Sequence, residues 1–211
     1  MRRRRVPDVV VRRLAMYLRV LEELGPGDHD RFISSQELGD RAGVSAAQVR
    51  KDLALFGEFG KQGVGYQARF LRDELRRILN ISRPLNVGIV GVGELGTALA
   101  RYTLRRWAAD QNYPFRLVAL FDNDPAKVGS RIDNVEVSPS SSIPTLAREL
   151  KLKIMMIAVP ASAAQAVADL CVAGGVRAIL NFAPCKLQVP PQVHLQQSDV
   201  SLELEQLAFY L

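Results

Sequence analysis

The chain has 211 residues, room for one large or two small domains, and its 48% apolar and 24% charged content is that of an ordinary globular protein. No apolar run reaches the ~18 residues of a spanning helix, and the Arg2–Arg5 run after Met1 leads into no signal-like apolar stretch, so neither membrane insertion nor export is expected. The net charge of +6 is unevenly placed: residues 1–80 hold 16 Arg and Lys against 11 Asp and Glu, and residues 81–211 hold 12 against 11. A polyanionic partner is therefore expected at the N-terminal part. Cys171 and Cys185 lack metal-ligand spacing, which predicts two unpaired thiols in a reduced, cytoplasmic setting and no metal site.

Val9 to Leu24 repeats apolar residues at spacings of three and four (Val10, Leu14, Tyr17, Leu18, Leu21, Leu24), the pattern of an amphipathic helix that Gly25-Pro26-Gly27 stops. Ser34 with Glu37 three residues on is a capping-box pattern, and that helix ends near Ala42 with Gly43 as the turn. Ser45 starts a third helix that runs to about Phe56. Gly57, Gly60, Gly63 and Gly65, interleaved with Phe59, Lys61 and Tyr66, read as a β-hairpin tip. Helix, helix-turn-helix and hairpin is the winged-helix order. Ala68 to Asn80 is a connecting helix, and Ser82-Arg83-Pro84 marks a domain boundary.

From Leu85 onward strands alternate with helices. The expected strands are 85–90, 115–121, 154–159 and 176–180, and the expected helices are 95–109, 143–150 and 162–173, with Ser138 to Ser142 a Ser/Pro loop. That alternation predicts an α/β fold with a doubly wound parallel sheet. A last amphipathic segment, 201–211, carries Leu204, Leu207, Ala208 and Leu211 on one face, for packing across the domain or on a partner subunit. The expected division is a winged-helix domain at 1–81, a Rossmann-like domain at 82–200 and a terminal helix at 201–211.

In the first domain Ser45, Gln48, Arg50 and Lys51 lie where a recognition helix meets the major groove, and Val49, Leu53 and Phe56 form its core-facing stripe. Gln48 suits adenine and Arg50 guanine, while Lys51 suits phosphate. Lys61, Gln62 and Tyr66 sit on the wing, within reach of a neighbouring groove or backbone. The Arg2–Arg5 run suits either a DNA-touching arm or a solvated terminus.

The second domain opens on Gly91-Val92-Gly93-Glu94-Leu95-Gly96, directly after a strand and before a helix. There Gly91 permits the tight turn, Gly93 lets backbone approach a pyrophosphate and Gly96 lets the helix pack on the sheet. The second strand ends at Asp122, followed by Asn123 and Asp124. Asp122 is placed to bond ribose hydroxyls, and its charge opposes a 2′-phosphate, which favours NAD(H) over NADP(H). The interval from Gly91 exceeds the usual ~20 residues, and the loop 110–114 accounts for the excess. Val159-Pro160 and Asn181-Phe182 follow later strands and fall at the nicotinamide end of the same crevice. Lys127 and Val128 flank the adenine or cap a turn.

The chain resembles the Rex family of redox-sensing transcriptional repressors. The resemblance rests on Val49-Arg50-Lys51-Asp52-Leu53, Phe56-Gly57-Glu58-Phe59-Gly60-Lys61, Gly63-Val64-Gly65-Tyr66, Val90-Gly91-Val92-Gly93, the run 121–129 and Ile179-Leu180-Asn181-Phe182-Ala183-Pro184. These blocks stand in family order over nearly the whole chain. The resemblance implies a homodimer that represses by binding double-stranded operator DNA and is released by NADH but not NAD⁺. It implies a C-terminal helix exchanged between subunits, and a redox switch whose matching positions are Tyr102 and Asp199, joined by Arg19. Glu94 lies at a variable position inside the glycine loop and puts an acid near the pyrophosphate, which predicts weaker cofactor affinity. An NAD-dependent oxidoreductase is the first rival, but it needs a positioned acid–base group, and His29 and His194 both fall away from the nicotinamide end. A regulator sensing another nucleotide ligand, such as an acyl-CoA, is the second.

Overall fold

The apolar stripe at the start of the chain becomes helix α1, Asp8–Glu22, which buries Val10, Leu14, Tyr17, Leu18 and Leu21. In this computed structural model residues 6–28, 30–61, 63–110 and 112–211 are described; Arg2–Arg5, His29 and Gln62 lie outside the described residues. Strand β1, Phe32–Ile33, leads into α2, Ser35–Ala42. Ser34 caps α2 by accepting the Glu37 amide on Oγ at 3.0 Å, and Gly43 ends it in the left-handed region at φ 70°. Helix α3, Ala46–Ala54, starts at Ser45, whose Oγ accepts the Gln48 amide at 3.2 Å. The reciprocal half of the capping box does not form at Ser34. Glu37 instead receives both ends of the Arg31 guanidinium, at 2.6 and 2.9 Å, because a charge-assisted pair outcompetes a bond to one neutral amide.

Strands β2, Gly60–Lys61, and β3, Gly65–Gln67, form the wing, and β3 also pairs with β1, giving the antiparallel order β1-β3-β2. Helix α4, Ala68–Ile78, returns against α1 through Ala68, Leu71 and Leu75, and one apolar core joins α1 to α4.

The chain divides into two units at Arg83 and Pro84. The second runs β4, Leu85–Val90; α5, Glu94–Ala109; β5, Phe115–Asp122; β6, Arg131–Ile132; β7, Val135–Pro139; α6, Ile143–Glu149; β8, Ile154–Ile157; α7, Ala161–Ala173; β9, Ala178–Asn181; β10, His194–Gln197; and α8, Val200–Ala208. Its sheet has the order β10-β9-β8-β4-β5-β7-β6, parallel except for β6. One core lies between the sheet and α6 and α7, with Val90, Met155, Ile157, Ala164, Ala168 and Ile179. The other holds Val87, Ile89, Leu120 and, from α5, Ala100. The sheet thus carries helices on both faces, and its order reverses direction between β4 and β8, the kind of switch point outside whose carboxyl strand ends open α/β sheets bind ligands. Strands β6, β7 and β10 lie beyond the four strands expected from the alternation with helices. In two-residue β6 only Ile132 faces the core, and in β7 only Val135 and Val137 do, too short an alternation to separate from the Ser/Pro loop that follows. Among the described residues, no helix is long and apolar enough to cross a membrane.

The glycine loop is locked by contact. A Cβ on Gly96 would sit 1.7 Å from the Gly91 carbonyl oxygen, and one on Gly91, at φ 93°, would sit 2.4 Å from the Ala158 oxygen. At Gly93 nothing lies within 4 Å. We therefore expect Gly96→Ala to lower the thermal midpoint, with a cost of about 1–3 kcal/mol from overpacking, and Gly93→Ala to leave it near the parent value. Equal melting of the two variants would contradict the packing described.

Candidate functional site

Two sites emerge, one in each unit. In the first, α3 exposes Arg50 and Lys51 while Val49 and Leu53 are buried beneath. Arg50 Nη1 donates to Ser35 Oγ at 2.8 Å, so the first turn of α2 steers the guanidinium. A groove between α3 and the wing is lined by Ser35, Arg50, Lys61, Gly63 and Tyr66 among others. Tyr66 is half-buried, and burial raises its hydroxyl pKa against the opposing effect of Arg50. Ser45 is exposed at the head of the helix, where its Oγ serves as the cap. Gln48 differs from expectation: its Nε2 donates to Asp52 Oδ1 at 2.7 Å, so part of its amide is already committed.

Asp52 is the residue that sequence reasoning missed. It is 1% exposed and accepts from Arg13 Nε at 2.6 Å, Arg13 Nη2 at 2.8 Å and the Tyr17 hydroxyl at 2.9 Å. Burial acts to raise its pKa, but the bonds from Arg13, Tyr17 and Gln48 outweigh it and hold the carboxyl below the usual range. The two-pronged guanidinium bond pins α3 to α1. The signal was present: an acid three residues after Val49 falls on the buried stripe, where a charge requires a partner.

In the second unit the end of β5 meets the glycine loop. Asp122 Oδ2 accepts the Val92 amide at 2.7 Å, and Oδ1 accepts the Asp124 amide at 2.9 Å. Lys127 Nζ stands 3.4 Å from Oδ2. Burial again works against the charge, but the two amides and Lys127 prevail and hold the carboxyl below its ordinary value. The carboxylate is thus ionised and oriented, and Oδ1 still has a lone pair for a hydroxyl donor. Val92 is half-buried, Gly93, Glu94 and Leu95 are exposed, and Gly96 is buried. Glu94 is the first residue of α5, so an acid does stand beside the helix N-terminus. Asn123 is exposed next to Asp122, and Lys127 is half-buried.

Across the crevice, the Ala158 amide bonds Val90 oxygen and the Phe182 amide bonds Ile157 oxygen, so the ends of β4, β8 and β9 are stitched together. Val159 and Phe182 are half-buried, and Pro160 is exposed. Asn181 takes a different role from the one expected. Its side chain is fully buried, donates to Ala183 oxygen, Cys185 oxygen and Gln197 Oε1, and accepts the Ala183 amide. It shapes the 182–185 loop and leaves no face for a ligand. Cys171 is buried, which pushes its thiol up to about 12.

The expected switch residues fall in both units, Arg19 in the first and Tyr102 and Asp199 in the second. Tyr102 stands 57% exposed on α5, and Asp199 caps α8 by accepting the Ser201 amide at 2.9 Å. Arg19 is exposed on α1. Among the described residues no group of His, Cys, Asp and Glu is arranged to hold a metal ion.

The open space before Gly93, the helix N-terminus behind it and the oriented Asp122 carboxylate fit the diphosphate and ribose of a dinucleotide. Comparison with known proteins supports two functions in one chain. Residues 5–54 match the family described as "Putative DNA-binding protein N-terminus", and residues 82–185 match "CoA binding domain". The chain is 45% identical over 206 residues to the redox-sensing transcriptional repressor Rex of Chloroflexus aurantiacus, covering 97% of this chain and 94% of that protein. Among solved structures, RSP in complex with beta-NAD⁺ and operator DNA has a TM-score of 0.88 at 38% identity, covering 97% of this chain and 92% of that one. RSP in complex with beta-NADH has a TM-score of 0.83 at 35% identity, covering 98% and 94%.

The Asp52 cluster gives a pH-dependent expectation. With Arg13 present the folded-state pKa lies below the unfolded one, so the stability Asp52 contributes is full above the carboxylate range and is lost only as pH falls through the depressed value. In Arg13→Met only the Tyr17 and Gln48 bonds are left to oppose burial, and we expect burial to dominate and the sign to reverse. The variant should be about 3–5 kcal/mol less stable at neutral pH, and the deficit should narrow on acidification to about pH 4 as Asp52 takes a proton. Thermal melts across that range test this, and a constant deficit would contradict it.

Proposed function

The chain belongs to the Rex family of redox-sensing transcriptional repressors, and from that premise we propose that it binds operator DNA as a homodimer and leaves it when NADH occupies the second unit. The observation that carries the cofactor assignment is Asp122, an ionised carboxylate held at the glycine loop by the Val92 and Asp124 amides. It favours free ribose hydroxyls and opposes a phosphate beside them, as in NADP(H) or coenzyme A. The label of the matching domain family is thereby compatible with the fold while the acid selects NAD(H). Gly91, Val92, Gly93, Glu94, Leu95 and Gly96 would hold the diphosphate, and Asp122, Asn123 and Lys127 the adenosine end. Val159, Pro160 and Phe182 would line the nicotinamide end.

Bound NADH supplies a neutral dihydronicotinamide ring where NAD⁺ supplies a cationic one. Val159 and Phe182, both half-buried, would present apolar surface to that ring, and such surface favours the neutral form. Arg50 and Lys51, exposed on α3, would contact DNA with Ser45, Gln48, Lys61 and Tyr66. The relatives are named repressors, and the function is regulatory rather than enzymatic. Operator DNA as the partner puts its place of action in the cytoplasm. Tyr102 and Arg19, both exposed, are free to meet a second copy, with Asp199 at the root of the helix that reaches it.

Fluorescence anisotropy on a palindromic operator tests this reading. Titrated NADH should release the protein, and NAD⁺ at the same concentrations should leave it bound. Equal DNA affinity under both cofactors would overturn the redox-sensing assignment.

A further inference from the structure

The cluster beneath α3 holds a recognition residue as well as the helix. Gln48 Nε2 lies 2.7 Å from Asp52 Oδ1, and Asp52 is itself held by three donors from Arg13 and Tyr17. An ionised carboxylate offers only lone pairs, so the end of the Gln48 amide facing it must be the NH₂. A flipped amide would set Oε1 against a carboxylate oxygen at contact distance, two acceptors with no proton between them. The Gln48 nitrogen is therefore anchored, and its carbonyl oxygen is the end left free. Two residues on, Arg50 brings only donors, steered by Ser35.

We infer that Asp52 is a positioning residue that fixes the polarity of the Gln48 amide, so that Gln48 leads with an acceptor. It would then select a base with an exocyclic amine in the major groove, adenine or cytosine, over guanine or thymine with a carbonyl oxygen there. Arg50 selects the opposite chemistry. The inference rests on the DNA-binding reading above and adds what one of its residues reads.

The test uses the full chain and a duplex that it enriches from a randomised pool. Each adenine is replaced by purine and each cytosine by 2-pyrimidinone, which removes the amine, and each guanine by 2-aminopurine, which removes the carbonyl oxygen. At one position per half-site, amine removal should weaken binding roughly three- to tenfold, the range of one hydrogen bond. In Gln48→Ala the same replacement should have no effect. A Gln48-dependent loss confined to carbonyl removal, or no Gln48-dependent position at all, would overturn the inference while leaving DNA binding intact. Failure to enrich any duplex would overturn both.

The role of Asp52 is read separately. The triple variant Arg13→Met, Tyr17→Phe, Asp52→Leu replaces the cluster by apolar groups of similar size, an exchange that buried ion pairs tolerate. It should keep salt-dependent, non-specific binding and lose most of the Gln48-dependent effect; an undiminished effect would overturn the role. In the parent chain, the ¹⁵N-labelled Gln48 side-chain amide should show a proton shifted and protected by Asp52. A solvent-averaged signal would overturn the anchoring without reliance on any variant.

Discussion

An apolar helix needs something to cover it, and α8 buries none of its own side chains. Leu204 and Leu207 are each 62% exposed, and Phe209 and Tyr210 beyond the helix are more exposed still. Isolated large apolar residues at a surface are ordinary, but a run of them on one terminal element marks an interaction site. We propose that a second copy covers α8, exchanged between subunits as the sequence resemblance implies. The rest of the functional account depends on that contact. On that proposal a dimer would have two α3 helices to meet half-sites about one DNA turn apart, and two cofactor sites whose occupation would change the spacing.

The second unit gives such a device its sensitivity. Asp122 ties the end of β5 to the loop after β4 through the Val92 amide, and Gly91 and Gly96 leave no slack between that loop, α5 and the end of β8. Phe182 and Val159 stand at the far end of the same crevice, and α8 follows directly on β10, with Asp199 as its cap. The cofactor site and α8 are thus joined through adjacent strand ends. A hundredfold change in DNA affinity requires a coupling of about 2.7 kcal/mol, which is the scale of a few hydrogen bonds or one buried side chain.

Much of this is visible in the chain before it folds, because the relevant signals are local. Ser34 and Ser45 cap their helices, Gly43 turns between them, and the glycine loop falls between β4 and α5 as its neighbours require. What escaped is set by contacts distant in sequence. Asp52 looks like one more charge on a basic helix until Arg13, 39 residues away, is brought to it. Asn181 reads as a crevice residue because it ends a strand, yet its side chain turns inward to hold Ala183, Cys185 and Gln197. The second half of the Ser34 capping box fails because Arg31 takes Glu37 first. Strand β7 escaped because two valines are too few to announce a period.

The central claim is that cofactor and DNA compete through one coupled dimer, and coupling between binding sites is reciprocal. The most direct test measures NADH affinity from its fluorescence, once for the free protein and once for the protein saturated with operator. The account predicts that operator weakens NADH binding by the same factor by which NADH weakens operator binding. Identical NADH affinity with and without operator would contradict it.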